Sequence, residues 1–256
     1  MRVRLVPCLR DNYAYLVWRA GAKEALVVDP SETEPVLEAL RVEGLTLAGI
    51  LNTHHHYDHV GGNAALVERF GPLPVFAHAS DAGRVPAQTV ELEQGSVVAL
   101  AGLSFDVLHV PGHTLGAVAY AGEGAVFTGD TLFAAGCGRL FEGTAAMMYE
   151  SLNSKLGALP DATRVYPGHE YTETNLRFAA HVEPANREVV AKLERVRAER
   201  SRAEPTIPST IGEERLTNPF LRVTSPALVA LVAGELGGER APAEVFGALR
   251  AMKDAF

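Results

Sequence analysis

Four short apolar runs in this chain stop in the same way. Residues 47–52 pass into Thr53-His54-His55-His56-Tyr57-Asp58-His59, 105–110 into Pro111-Gly112-His113, 125–127 into Thr128-Gly129-Asp130, and 164–166 into Pro167-Gly168-His169. Each is a strand-length run closed by a turn of small residues, with an imidazole or carboxylate directly behind it. Strand ends on one edge of a sandwich can converge on a point, and loops on a rigid scaffold are where sites sit. The pattern therefore predicts a layered β frame with one loaded edge.

The rest of the first two thirds agrees with such a frame. Strand patterns recur at 3–6, 13–18, 25–28, 75–77, 97–100 and 117–120. Helices are expected at about 34–42, with Val36, Leu37 and Leu40 on one face, and at 63–70 and about 146–156. After about Tyr171 strand patterns vanish. Residues 187–202 read as a charged amphipathic helix behind an Asn186 N-cap, with Val189, Leu193 and Val196 on one stripe. A Pro- and Thr-containing connector at 204–219 precedes helical segments at 227–236 and 242–256. In the last segment Val245, Leu249, Met252 and Phe256 recur at helical spacing and predict a buried face. The division expected is 1–171 for a mixed α/β domain and 172–256 for a smaller all-helical one. The chain contains no internal repeat and no low-complexity tract.

Composition narrows the function classes. A chain of 256 residues buries about 70% of its surface without staples. With 47% apolar and 21% charged residues, disorder, collagen and coiled coil are poor readings. The 23 basic and 31 acidic residues give a net charge of −8, which opposes a nucleic-acid partner. The acidity lies in residues 1–170, and 171–256 are balanced. Two cysteines, Cys8 and Cys137, are too few for a disulfide framework. The start, MRVRLVPCLRDN, lacks the apolar core of a signal peptide. No run approaches a membrane span, the best candidate, 223–234, being short and interrupted by Pro226. A cytoplasmic protein without a membrane partner is expected.

The loaded strand ends are a metal-ligand set. Imidazole and carboxylate suit Zn, Fe or Mn, and a structural zinc site would favour cysteines, which these motifs lack. In HxHxDH, alternate residues of an extended turn point one way. His54 and His56 can then share one ion, with Asp58 and His59 facing a second. His113 completes the first site, His169 the second, and Asp130 can bridge both. Two metals roughly 3.5–4 Å apart clamp a water and lower its pKa towards neutrality. A lone His is more often structural than a ligand, so His55, His78, His109 and His181 are read as structural.

THHHYDHVGGN, PGHT, TGDTLF and PGHE resemble the metallo-β-lactamase superfamily, whose fold is an αββα sandwich with a binuclear metal site at one edge. DNYAYLV, GCGRLFEGTA, PGHEYTETNLRFA, HVEPAN, PSTIGEE, NPFLRV and the closing Arg250-Ala-Met-Lys253-Asp are similar, nearly end to end, to its glyoxalase II (hydroxyacylglutathione hydrolase) family. The resemblance implies an α/β sandwich with a helical C-terminal domain, and hydrolysis of S-D-lactoylglutathione to D-lactate and glutathione in methylglyoxal detoxification. It implies two divalent metals, Zn foremost with Fe or Mn acceptable, held by His54, His56 and His113 and by Asp58, His59 and His169, with Asp130 between them. Asp58 and Asp130 would also serve catalysis. It places glutathione on Arg139, Leu140 and Phe141, on Tyr171, and on Arg250 and Lys253. A monomer is expected. Two departures stand out: the family commonly has Lys at position 139 and Tyr at 141, so Phe141 lacks a hydroxyl.

The chemistry is consistent with that reading. A thioester needs a strong nucleophile and a stabilised oxyanion, which two metals supply. The leaving thiolate, with a conjugate-acid pKa of about 8.5, departs without a general acid. Arg250 and Lys253, at i and i+3, project from nearly the same side of the last helix, beside its buried stripe. Cys137, between two glycines, is read as a packing residue. A persulfide dioxygenase shares the fold and GCGR, but the FEGT continuation and the helical C-terminal domain oppose it. The charge opposes a ribonuclease, and the complete ligand set opposes a non-catalytic binding module.

Overall fold

The computed structural model describes residues 1–238 and 240–256 and, for Leu236, the backbone alone. Strands β1 (Arg2–Cys8), β2 (Asn12–Trp18) and β3 (Glu24–Val28) form an antiparallel meander. Helix α1 (Thr33–Glu43) then crosses to β4 (Thr46–Leu51), which pairs in parallel with β3. Short α2 (Tyr57–Val60), α3 (Asn63–Phe70), β5 (Val75–His78) and β6 (Val90–Leu92) complete a six-stranded sheet in sequential order, parallel from β3 onwards. α1 ends where Gly44 takes a left-handed φ of 64°, so its terminal carbonyls are capped.

A second sheet follows. β7 (Val97–Leu100), β8 (Leu103–His109), β9 (Val118–Gly122) and β10 (Ala125–Gly129) pair antiparallel in sequence order. β8 alternates buried and exposed residues through Val107, the mark of a strand with one wet face. β2 and β10 are buried on both faces, in keeping with their apolar runs at 13–18 and 125–127. The sheets meet through Tyr15 and Phe127, whose rings are 5.4 Å apart, and through Tyr120, whose hydroxyl donates to Asn52 O at 2.8 Å. On the other face of the first sheet, Val36, Ala39 and Leu40 of α1 and Leu66 of α3 pack into one apolar cluster with Leu16, Val27 and Ile50.

The described chain falls into two compact units, 1–109 with 116–129 and 110–115 with 130–256. The second opens on a tight hairpin, β11 (Leu132–Phe133) and β12 (Gly136–Cys137). Helix α4 (Ala145–Tyr149) runs into a π-helical segment, Glu150–Lys155, before β13 (Arg164–Pro167). Then come α5 (Thr172–Val182), α6 (Arg187–Ser201), β14 (Ser209–Thr210, antiparallel to β13), α7 (Ile211–Thr217), α8 (Pro226–Leu236) and α9 (Pro242–Ala255). Asn186 caps α6 by accepting from Glu188 N and Val189 N, and Val189, Leu193 and Val196 are buried with Leu176 and Ala179 of α5.

The C-terminal segment departs from its sequence reading in four places. The stretch after Tyr171 holds one short strand, β14. The connector at 204–219 contains α7, which Thr210 caps by accepting from Glu213 N. α5 occupies residues without a helical signature strong enough to call. Finally, the buried face of α9 is Val245, Phe246, Leu249 and Arg250, while Phe256 is 55% exposed. The helix ends at Ala255, so Phe256 lies beyond the last turn.

Candidate active site

The turn after β4 gathers four donors in the first unit. His54 Nε2 lies 3.1 Å from His56 Nδ1, close to the edge of a tetrahedron of about 3.3 Å around a metal with bonds near 2.0–2.1 Å. The His54 and His59 rings are 4.2 Å apart, and His59 Nε2 is 3.7 Å from Asp58 Oδ2. Gly129, at φ 48°, lets β10 end against this turn: a Cβ there would sit 2.2 Å from Thr53 Oγ1.

Hydrogen bonds behind the rings fix their tautomers. The Asp29 carboxylate accepts from Thr53 N (2.7 Å), from Thr53 Oγ1 (2.6 Å) and from His59 Nδ1 (3.0 Å). Because the Thr53 hydroxyl donates to Asp29, its contact with His54 Nδ1 (3.0 Å) makes that nitrogen the donor. In neutral imidazoles both Nε2 atoms then carry lone pairs. Asn12 Nδ2 donates to Asp58 Oδ2 and to Asp58 O, each at 3.0 Å, so the carboxylate is aimed as well.

The second unit repeats the device. His113 Nδ1 faces the Arg139 carbonyl at 2.8 Å; a carbonyl only accepts, so this nitrogen carries the proton. His113 Nε2 and His169 Nε2 lie 3.6 and 3.3 Å from Asp130 Oδ2. Gly138 makes this approach possible, since a Cβ there would stand 1.9 Å from Asp130 O and 3.0 Å from His113 Nδ1. A lone pair of His113 facing a carboxylate oxygen is favourable only with a cation between them, a metal ion or a proton. Rings tied at the rear with their other nitrogen facing carboxylates have the donor chemistry of metal ligands. His54, His59 and Asp29, all buried, offer ligand atoms within 4.8 Å of one another. The His and Asp groups are arranged to bind metal.

The residues expected to hold substrate lie in the second unit. Tyr171 stacks on His169, with rings 4.7 Å apart and 6° from parallel, and Phe133 stands edge-on to both. Phe141 is 63% exposed with its ring 5.2 Å from His113, and Leu140 beside it is half-buried. Arg139 reaches Asp254 at 3.7 Å. Arg250 is not beside the buried stripe but part of it, 5% exposed, donating to Cys137 O at 2.9 Å and to Asp254 at 3.1 Å. Its aliphatic stem packs inward because Phe220 lies under the guanidinium at 5.3 Å. Lys253 donates to Thr174 O at 3.2 Å and sits over Phe178. Burial, with Arg250 nearby, pulls its ammonium down to about 8.

The histidines read as structural have other neighbours. His55 lies between Asp81 (3.2 Å) and the Arg84 guanidinium, His78 and His109 stack at 4.3 Å, and His181 lies against Phe256. Cys137 is buried, and burial holds its thiol up at about 11. Sequence reasoning missed Asn12 and Asp29. Asp29 had the same signal as the metal motifs, an apolar strand at 25–28 ending directly in a carboxylate.

Residues 9–169 match the model of the metallo-beta-lactamase superfamily, and residues 170–256 that of the hydroxyacylglutathione hydrolase C-terminus. A hydroxyacylglutathione hydrolase of Synechococcus sp. (strain JA-2-3B'a(2-13)) is 52% identical over 258 residues, covering all of both chains. One from Gloeobacter violaceus is 50% identical, again covering all of both. Among solved structures, ETHE1 from Myxococcus xanthus is 27% identical with a TM-score of 0.68, covering 100% of this chain and 99% of its own. TTHA1623, in a di-iron-bound form, is 30% identical with a TM-score of 0.61, over 86% of this chain and 100% of its own. No helix among the described residues is long and apolar enough to cross a membrane.

Proposed function

Because the chain belongs to the hydroxyacylglutathione hydrolases of the metallo-beta-lactamase superfamily, an αββα sandwich with a helical C-terminal region, we propose the following chemistry for its site. It hydrolyses S-D-lactoylglutathione and related S-(2-hydroxyacyl)glutathiones to the 2-hydroxy acid and glutathione. The likeness over the full length, C-terminal region included, carries this reading, since the metal motifs alone are common to many substrates.

We assign His54, His56 and His113 to one divalent metal and Asp58, His59 and His169 to a second, with Asp130 serving both. Zinc is the first expectation, and the same nitrogen and carboxylate donors accept iron or manganese. When bound, two such ions bring a water towards neutrality in pKa and polarise the thioester carbonyl. The chain's own residues do the rest. Asp29, Thr53 and the Arg139 carbonyl hold His59, His54 and His113 in the tautomers that leave Nε2 as donor. Asn12 holds Asp58, which orients the attacking water. Arg139, Leu140, Phe141, Tyr171, Arg250 and Lys253 bind glutathione, whose carboxylates the three cations attract. The thiolate leaves unassisted and takes its proton from solvent. Residues 1–171 thus carry the chemistry with Arg139, Leu140, Phe141 and Tyr171, and 172–256 add Arg250 and Lys253 to the glutathione grip, in a monomer acting in the cytoplasm.

The test is hydrolysis of S-D-lactoylglutathione, followed by loss of thioester absorbance, on as-purified, chelator-stripped and metal-reloaded protein. Turnover that falls on stripping and returns on reloading is expected. A metal-replete sample without turnover would overturn the substrate assignment, and oxygen uptake with glutathione persulfide would replace it.

A further inference from the structure

The most heavily buried ionic cluster of the second unit lies among its C-terminal helices, apart from the metal donors. Lys192 of α6 (3% exposed) places Nζ 2.9 Å from Glu214 Oε1 of α7 (0% exposed), and 3.1 Å from Glu213. The other Glu214 oxygen accepts from Asn218 Nδ2 at 2.9 Å and from Ala135 N at 2.6 Å. Asn218, fully buried, also faces Phe133 O (3.2 Å) and Gly136 O (2.9 Å), while Asn175 of α5 donates to Ala134 O at 3.1 Å.

Glu214, Asn218 and Asn175 each reach the β11–β12 turn, and Lys192 pairs with Glu214 behind it. Four consecutive residues, Phe133 to Gly136, are each gripped through a backbone group by a side chain 41 to 85 positions away. Ala135 has φ 55°, a conformation that residues with a Cβ rarely adopt, and Glu214 holds its N–H there. A hairpin of two residues per strand cannot hold such a turn by its own ladder.

The turn in turn sets two groups of the proposed glutathione subsite. Phe133, at its start, stands 5.2 Å from the Tyr171 ring. Cys137, just past its end, gives the carbonyl that accepts from Arg250. Burying an ion pair is weak grounds for stability, because well-packed apolar residues often do as well. A requirement for geometry accounts for it better.

We propose that Lys192, Glu214 and Asn218 are positioning residues for thioester binding: they lock the 133–136 turn so that Tyr171 and Arg250 meet glutathione in register. This rests on the function proposed above. The decisive comparison is between Lys192→Met/Glu214→Leu, which removes charge and acceptor together, and Lys192→Met/Glu214→Gln, which keeps an acceptor for Ala135 N–H. The leucine variant should raise KM for S-D-lactoylglutathione about tenfold with kcat within about threefold of wild type. Its metal content should be unchanged, and amide exchange at Ala135 should quicken. The glutamine variant should return KM and exchange most of the way. Equal KM in wild type and leucine variant, failure of glutamine to rescue, or loss of metal and kcat in step with KM would each overturn the proposal. Should the leucine variant not fold, Asn218→Ala, which leaves the ion pair intact, is read by the same criteria. Wild-type protein that neither hydrolyses the thioester nor binds glutathione in a calorimeter would instead overturn the functional reading itself.

Discussion

Lys253, proposed above to bind glutathione, is a side chain whose acid–base behaviour the fold alters. Its half-buried ammonium lies against Phe178 and Phe256 beside Arg250, and desolvation is the larger cause of its fall to about 8. A lysine lowered this far is charged below pH 8 and loses that charge as the pH rises through it. KM for the anionic thioester is therefore expected to climb between pH 7 and pH 9 while kcat moves little. Arg at this position stays charged throughout, so Lys253→Arg should flatten the climb; superimposable KM profiles would remove Lys253 from the subsite. At Gly138 the constraint is steric. A methyl group 1.9 Å from Asp130 O must push Asp130 or His113 aside, so Gly138→Ala is expected to lose bound metal and at least 100-fold in kcat. Metal analysis beside turnover decides it, and a fully metallated, active variant would contradict the site geometry. Cys137, held protonated by burial, should tolerate Cys137→Ser with activity largely retained.

At the scale of elements, α9 shows how an apolar stripe is read and misread. Val245 and Leu249 lie on the predicted face and are buried, but the face turns through Phe246 and Arg250 rather than running on to Phe256. Leu249, with no exposed surface, should cost about 2–5 kcal/mol when cut to Ala, and the half-buried Met252 far less. Equal melting temperatures for the two variants would show that the stripe is not what holds the helix. Strands were legible as short apolar or alternating runs of three to six residues bounded by turn residues, as at 13–18, 25–28 and 125–127. α7 was legible in principle: Thr210-Ile-Gly-Glu213 is an N-terminal capping pattern, masked by Gly212 and the prolines before it. α5 starts without a side-chain cap, on Thr, Glu, Thr and Asn, which have no strong helix preference as a group. The β11–β12 hairpin had no local signal. Its shape comes from Glu214, Asn218 and Asn175, far along the chain, and no periodicity records such partners. Of the polar residues around the metal donors, Asp29 followed the strand-end rule and Asn12 followed none, because its role depends on where Asp58 lands.

For the whole molecule, metal binding is folding energy as well as chemistry. His54, His59, His113 and His169 are buried with donor atoms facing carboxylates or one another, an arrangement that a bound cation stabilises and that an unfolded chain does not reproduce. An ion that binds only the folded state adds about 2.7 kcal/mol when present at 100 times its dissociation constant. For a chain of this size each kcal/mol is worth roughly 2–4 °C, so stripping one ion should lower the melting temperature by about 5–10 °C. The ligand assignment makes the effect stepwise. On the proposed assignment Asp58→Ala removes a donor from the second site alone, so the purified variant should hold one ion against two expected in the wild type. It should start from a lower melting temperature and lose a smaller increment to chelator. Its kcat should fall by orders of magnitude, because the water loses both a metal and the carboxylate that aims it. Two ions and unchanged turnover in Asp58→Ala would break the assignment of Asp58. A melting temperature indifferent to chelator in the wild type would show instead that the donors are held in place by their hydrogen bonds to Asp29, Thr53 and Arg139 alone.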